Sequence, residues 1–159
     1  MSEIKSTVGK WAMRHRSWGA VLLIWAVTAQ SHAADGDIIA SMTAGRIERI
    51  ITSFQDVKNF QERGNNVYRF ELEGLKILLF NKAETMQLAA SFSGKITLSR
   101  INEWNRTKRF TRAYLDNDNE PMLEGDIELT GGVTERNVKE WFKTYVASLK
   151  AFQKHISPE

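Results

Sequence analysis

The 159 residues carry 22 Lys and Arg against 19 Asp and Glu, and they contain no cysteine. That composition excludes a disulfide framework, a lipid-bearing cysteine and a thiolate nucleophile, so stability must come from packed aliphatic and aromatic side chains. The net charge of +3 belongs largely to the N-terminal leader, and the near-neutral remainder lacks the concentrated positive surface that neutralises nucleic-acid phosphates.

Lys5, Lys10, Arg14 and Arg16 precede an apolar run from Trp18 to Ala29, and Ser31-His32-Ala33 then sets small residues at both positions a signal peptidase reads. The pattern predicts a signal peptide over residues 1–33, cleaved between Ala33 and Ala34, and a periplasmic or secreted domain over residues 34–159. An uncleaved anchor is the alternative, but a spanning helix needs about 20 apolar residues and this run is shorter. Arg14-His15-Arg16 is not a twin-arginine pair. The leader before Met13 is long, which makes Met13 a second candidate start. Cleavage would leave 126 of the 159 residues and 18 Lys and Arg against 18 Asp and Glu. That is one domain with a core large enough to stand alone, and with no stable membrane anchor.

Thr43 is positioned to cap a helix in which Ile47, Ile50 and Ile51 share a face. Phe54 to Gln61 reads as a weakly marked first strand, and Arg63-Gly64-Asn65-Asn66 as a turn. From Val67 to Glu73 the chain alternates, with Tyr68, Phe70 and Leu72 on one side and Arg69, Glu71 and Glu73 on the other. Leu75 to Phe80 is almost continuously apolar and suits a central strand. After a turn at 81–84, Met86, Leu88, Ala90 and Phe92 alternate again, giving an antiparallel meander.

Gly94 closes the meander. A short helix over Leu98 to Lys108 is expected to bury Ile101 and Trp104. Arg109–Asp116 and Glu120–Thr130 then form a hairpin turning at Asn117-Asp118-Asn119. Setting Ala113, Leu115, Leu123, Ile127 and Leu129 against the core fixes its register: Tyr114 opposite Met122 and Arg112 opposite Glu124. Gly131-Gly132 releases the chain into a long helix capped by Thr134. Its stripe runs through Val138, Trp141, Phe142, Tyr145, Val146, Leu149, Phe152 and Ile156. The order predicts an α+β fold, an antiparallel sheet with its helices packed on one face.

Three stretches carry a family resemblance: Leu98–Asn105 (Leu-Ser-Arg-Ile-Asn-Glu-Trp-Asn), the run Trp104–Asp116 with Leu123-Glu124-Gly125-Asp126-Ile127, and the Gly131-Gly132-Val133-Thr134 entry to the last helix. Together they resemble the YbjN-domain family of small bacterial proteins. The likeness spans most of residues 41–156 and is sharpest over 98–134. It implies a fold like that of type III secretion chaperones, commonly dimeric and binding protein segments. It assigns no chemistry, and the export signal departs from cytosolic members.

Little in the chain suggests catalysis. After export the domain would keep one histidine, His155, in the last turn of the final helix, where interaction with the helix C-terminus is the simplest role. There is no Gly-x-Ser-x-Gly elbow and no His-Glu-x-x-His. Asp116-Asn117-Asp118-Asn119-Glu120 begins like a calcium loop, but Pro121 stands where the sixth-position glycine is required. Gly131-Gly132 lacks phosphate-loop spacing. No catalytic residue, metal ligand or cofactor site is therefore expected. Arg106, Lys108, Arg109 and Arg112 lie near Trp104, Phe110 and Tyr114, but Glu124, Asp126 and Glu128 on the partner strand are expected to pair with them rather than leave a nucleic-acid platform. Asn105 is read as bonding a nearby backbone group.

The expected function is surface recognition. Phe110, Arg112, Tyr114, Met122 and Glu124 should face away from the core, and aromatics, Met and Arg are enriched at protein interfaces. This predicts a non-catalytic protein-binding or self-associating domain. A small-molecule or peptide sensor, with a pocket under Trp141 and Tyr145, is the alternative. A hydrolase with an unrecognised site is the third reading.

Overall fold

The computed structural model describes residues 36–39 and 41–157. The expected leader and its cleavage positions, Ala33 and Ala34, lie outside the described residues.

The first helix, α1 (Ala44–Thr52), buries Ile47, Ile50 and Ile51 as their spacing requires. Thr43 precedes it in extended conformation, but its side chain makes no capping bond, and its carbonyl accepts from the N–H groups of Arg46 and Ile47 instead. Four strands follow: β2 (Lys58–Glu62), β3 (Val67–Leu72), β4 (Leu75–Lys82) and β5 (Thr85–Ser91), after a short β1 (Ile38–Ile39). The predicted first strand is displaced. Residues 54–57 continue the helix end as turns, with Phe54 N–H on the Ile51 carbonyl and Val57 N–H on that of Phe54. β2 also carries a register shift between Lys58 and Gln61, with Asn59 at φ 54°. A bulge of this kind deforms an edge strand and hinders further pairing.

Helix α2 (Leu98–Thr107) begins at Thr97, whose hydroxyl accepts from Arg100 N–H, and buries Ile101 and Trp104. The hairpin strands are β6 (Arg112–Leu115) and β7 (Pro121–Glu128), shorter than predicted but in the expected register: Arg112 opposite Glu124 and Tyr114 opposite Met122. Asp116 builds the turn, because its carboxylate accepts from the N–H groups of Asp118 and Glu120, both at 2.9 Å. That commitment explains the Asp/Asn run without a cation. Among the described residues no group of three His, Asp or Glu side chains is placed to hold a metal ion.

A two-residue β8 (Val133–Thr134) pairs with β1, a small second sheet that the sequence pattern did not signal. Helix α3 (Glu135–Ile156) opens with a reciprocal cap: Thr134 Oγ1 accepts from Asn137 N–H at 3.1 Å, and Asn137 Oδ1 accepts from Thr134 N–H at 3.0 Å.

The six-stranded sheet has the order β2-β3-β4-β5-β7-β6, antiparallel throughout. Its helix-side residues, including Phe70, Ile77, Leu79, Leu88 and Leu123, form one core with the apolar faces of the three helices. Aromatic rings tie the layers together. Phe142 lies 4.5 Å from Phe54 and 6.0 Å from Phe70, and Phe152 stands edge-on to Trp104 at 4.9 Å and to Phe92 at 5.1 Å. The core cluster lies wholly within residues 39–152. At the opposite end of α3, Glu135 joins it to α1, receiving Arg49 at 2.9 Å and Lys139 at 3.0 Å. Burial works to raise the Glu135 pKa, but these two cations outweigh it and hold it below the ordinary value.

The loop between α2 and β6 is pinned against Gly125. A Cβ on that glycine would stand 2.8 Å from Cδ2 of Tyr145 and 3.4 Å from the carbonyl oxygen of Phe110. The Tyr145 hydroxyl donates to the Leu123 carbonyl at 3.1 Å, so the ring is fixed over the glycine. This contact packs the Tyr145 ring directly against β7.

Candidate interaction surface

Because all three helices cover one face of the sheet, the opposite face carries the residues of the other parity. Arg69, Leu78, Ala89, Glu124 and Arg112 lie in one row across β3-β4-β5-β7-β6, and Ser91, Met122 and Tyr114 in the next. Val67 and Phe80, paired with each other, extend the apolar part. Val67, Leu78, Phe80 and Met122 are half-buried.

Glu124 sits in this face and is the main departure from expectation. Strand parity directs it away from the core, yet it is 7 % exposed. Its neighbours explain the burial. Tyr114 donates its hydroxyl to Oε1 at 2.7 Å. Arg112 donates to Oε2 through Nε at 2.8 Å and Nη2 at 2.5 Å, and Gln87 Nε2 reaches the same oxygen at 3.4 Å. The carboxylate is thus covered and supplied with donors from the two flanking strands, β5 and β6. The hydrogen bond and charge of Glu124 raise the Arg112 pKa further. Burial first, then the bond to Glu124, pushes the Tyr114 phenol up to about 12.

The same direction holds at the other two tyrosines: burial raises both Tyr68 and Tyr145. These are all the tyrosines of the chain. Alkaline titration followed by phenolate absorbance should therefore be displaced above the ordinary value of 10.0 in the folded protein. A raised folded pKa gives stability that is whole below the unfolded value and is lost as pH climbs through the folded one. The Tyr114 contribution should accordingly vanish between pH 10.0 and about 12.

Asn105 closes the edge beside this face. Its amide nitrogen donates to the Ala113 carbonyl at 2.9 Å, and its oxygen accepts from Ala113 N–H at 2.8 Å. A side-chain amide thereby takes the place of a neighbouring strand on the free edge of β6, which otherwise invites pairing. Asn105→Ala should cost about 1–3 kcal/mol, since both backbone groups lose their partners. Urea unfolding would measure that loss, and the Asn105→Asp variant, which keeps only the acceptor, should fall below wild type as well.

The structure brings Arg112, Tyr114, Met122 and Glu124 together and separates Phe110 from them. β6 starts at Arg112, so strand parity does not extend to position 110, and the Phe110 carbonyl lies at Gly125 on the helix side of the sheet. Phe110 is 76 % exposed, with φ at 67°. Among the described residues, the expected pairing of acidic and basic residues is seen for Arg112 with Glu124. Glu128 instead accepts from Thr130 N–H at 3.0 Å, and Lys108 Nζ stands 5.7 Å over the Trp104 ring. His155 likewise has a different role. Its Nε2 bonds the Arg100 carbonyl at 2.8 Å, its ring lies 5.6 Å from that of Trp104, and the Arg100 guanidinium bonds the His155 carbonyl. It fastens α3 to α2.

Sequence reasoning missed Leu78, Phe80, Gln87 and Ala89 as members of the open face. The signal was present: a strand as apolar as Leu75–Phe80 carries apolar groups on both sides, so its second face also needs an explanation.

No curated protein matches the chain. The sequence profile of the YbjN family, described as "Putative bacterial sensory transduction regulator", matches residues 64–158. That span is more than half of the chain and includes the meander, the Asn105 edge plug, the Glu124 cluster and the long helix, and the chain belongs to the YbjN family.

Proposed function

We infer that the protein is a non-catalytic regulatory module, exported to the periplasm or beyond, that binds protein through the open face of its sheet. The observation that carries this is the state of Glu124. In the middle of a face free of helices, a carboxylate is buried and fully committed to Arg112, Tyr114 and Gln87. Such a group offers no free acid or base, and it holds Arg112 and Tyr114 rigidly in place. Pre-positioned aromatic and arginine side chains beside half-buried apolar residues make the surface type that protein partners use.

A second copy of the chain is the partner this face fits. It presents charges of both signs, Arg69, Glu71, Lys76 and Asp126, around the apolar strip of Leu78, Phe80, Ala89 and Met122. A two-fold contact sets such a surface against itself with unlike charges opposed. A chaperone-like hold on an extended protein segment would use the same strip.

Light scattering coupled to size exclusion on residues 34–159 tests the reading. The wild-type domain should elute as a dimer and the Tyr114→Ser, Met122→Ser double variant as a folded monomer. A wild-type monomer, or a dimer untouched by the double substitution, would remove this face from the account.

A further inference from the structure

Outside the sheet face, the strongest unexplained feature is the last turn of α2 with the loop that leads from it into β6. Asn105 to Phe110 are six consecutive exposed residues. Phe110 is at its tip, 76 % exposed and with φ 67°, a backbone region in which a bulky side chain is an outlier. The packing of its own backbone carbonyl and Thr111 against Gly125 accompanies that conformation. The ring is thus presented to solvent from a fixed base. Arg106, Lys108 and Arg109 precede it within four residues and are exposed, and they form no ion pair among the described residues, Lys108 lying over the Trp104 ring.

We propose that this loop docks the protein reversibly on an anionic phospholipid bilayer, with the Phe110 ring entering the interface and Arg106, Lys108 and Arg109 meeting the headgroups. Charge complementarity selects the occupant. Basic residues gain from a negative leaflet, and one protruding apolar ring suits a deformable surface. A protein partner would instead demand a broad, shaped contact with a buried centre. Single-stranded nucleic acid needs several rings to stack on. Here Trp104 is 1 % exposed, and the Tyr114 hydroxyl is held by Glu124. The loop and the open sheet face are separate surfaces, so this docking does not depend on the dimer.

The absence of cysteine allows one introduced reporter in the full chain. Thr107→Cys carrying an environment-sensitive fluorophore marks the loop, and Lys76→Cys marks the sheet face as control. With phosphatidylglycerol-containing vesicles the loop label should shift to the blue and brighten. Pure phosphatidylcholine vesicles should leave it unchanged, and high salt should reverse the effect. In the loop-labelled chain, Arg106→Glu with Arg109→Glu should weaken vesicle affinity about tenfold or more. Phe110→Asn, which suits a positive φ and so preserves the fold, should weaken it as well. Equal shifts from both labels would show that another part of the chain carries the association and would overturn the proposal. So would an equal response to phosphatidylcholine, indifference to the charge reversal, or the same response to polyglutamate or a single-stranded oligonucleotide.

Discussion

Gly125→Ala is expected to destabilise the domain by about 2 kcal/mol, and Gly125→Val by about 3 kcal/mol, because a side chain there has nowhere to go. The glycine sits in β7 with ordinary backbone angles, so conformational freedom is not the reason for it. Space is: the new Cβ would meet the Tyr145 ring at 2.8 Å, and that ring is 1 % exposed and tied by its hydroxyl to Leu123. To make room, α3 must move outward or the Phe110 loop must lift. Urea unfolding would measure the loss. Tyr145→Leu should recover part of it in the Gly125→Ala background, a coupling that appears only if the two positions collide. A Gly125→Ala variant within about 0.5 kcal/mol of wild type would contradict the packing described.

Phe152→Ala is expected to be costlier still, about 3–5 kcal/mol. Phe152 is fully buried and is the ring on which three others converge: Trp104 and Phe92 edge-on, and His155 at 6.3 Å. Its removal opens a cavity between α2, α3 and the end of β5 that rigid aromatic neighbours cannot collapse to fill. The effect should reach beyond stability. With Trp104 loosened, α2 is held less firmly, and Asn105 one residue later loses its alignment on the β6 edge. Thermal unfolding gives the first consequence, and amide exchange at Ala113 gives the second. A thermal midpoint near wild type would show that the cluster is less tightly packed than its geometry indicates.

Much of this architecture was legible in the sequence, for identifiable reasons. The long stripe of α3 has a single solution, and the alternation of β3 and β5 leaves one choice of core side. The hairpin register followed from requiring Ala113 and Leu123 to share that side, since a one-residue slip would expose the apolar set. What failed did so where local chemistry overrode the pattern. Phe54 is apolar and read as strand, but the end of α1 holds residues 54–57 in turns. Thr43 has the right residue type for a cap, yet only its carbonyl is used. The β1–β8 pair is two residues long, too short to leave a periodicity. In the site, parity placed Arg112, Tyr114, Met122 and Glu124 on one face, as the register confirms. It could not show that Glu124 would be buried, because that depends on Gln87 arriving from β5 and on the Tyr114 ring lying over it. Phe110 was assigned by the same parity and left the face because the strand begins two residues later.

The family motif gains a physical reading from these contacts. In Trp104-Asn105, the tryptophan fills the core and the asparagine seals the β6 edge. In Leu123-Glu124-Gly125, the leucine faces the helices and the glutamate anchors the open face. The glycine admits Tyr145. Each position thereby has a structural or surface role.

If the open sheet face binds a second copy of the chain, as proposed, spin-label distances will report it. Residues 34–159 carrying one cysteine at Gln87, on that face, or at Thr144, on the exposed side of α3, would be labelled and measured by pulsed dipolar spectroscopy. A face-to-face dimer gives a short intermolecular distance from Gln87 and a clearly longer one from Thr144. The reverse order, or no intermolecular coupling at either position, would contradict it.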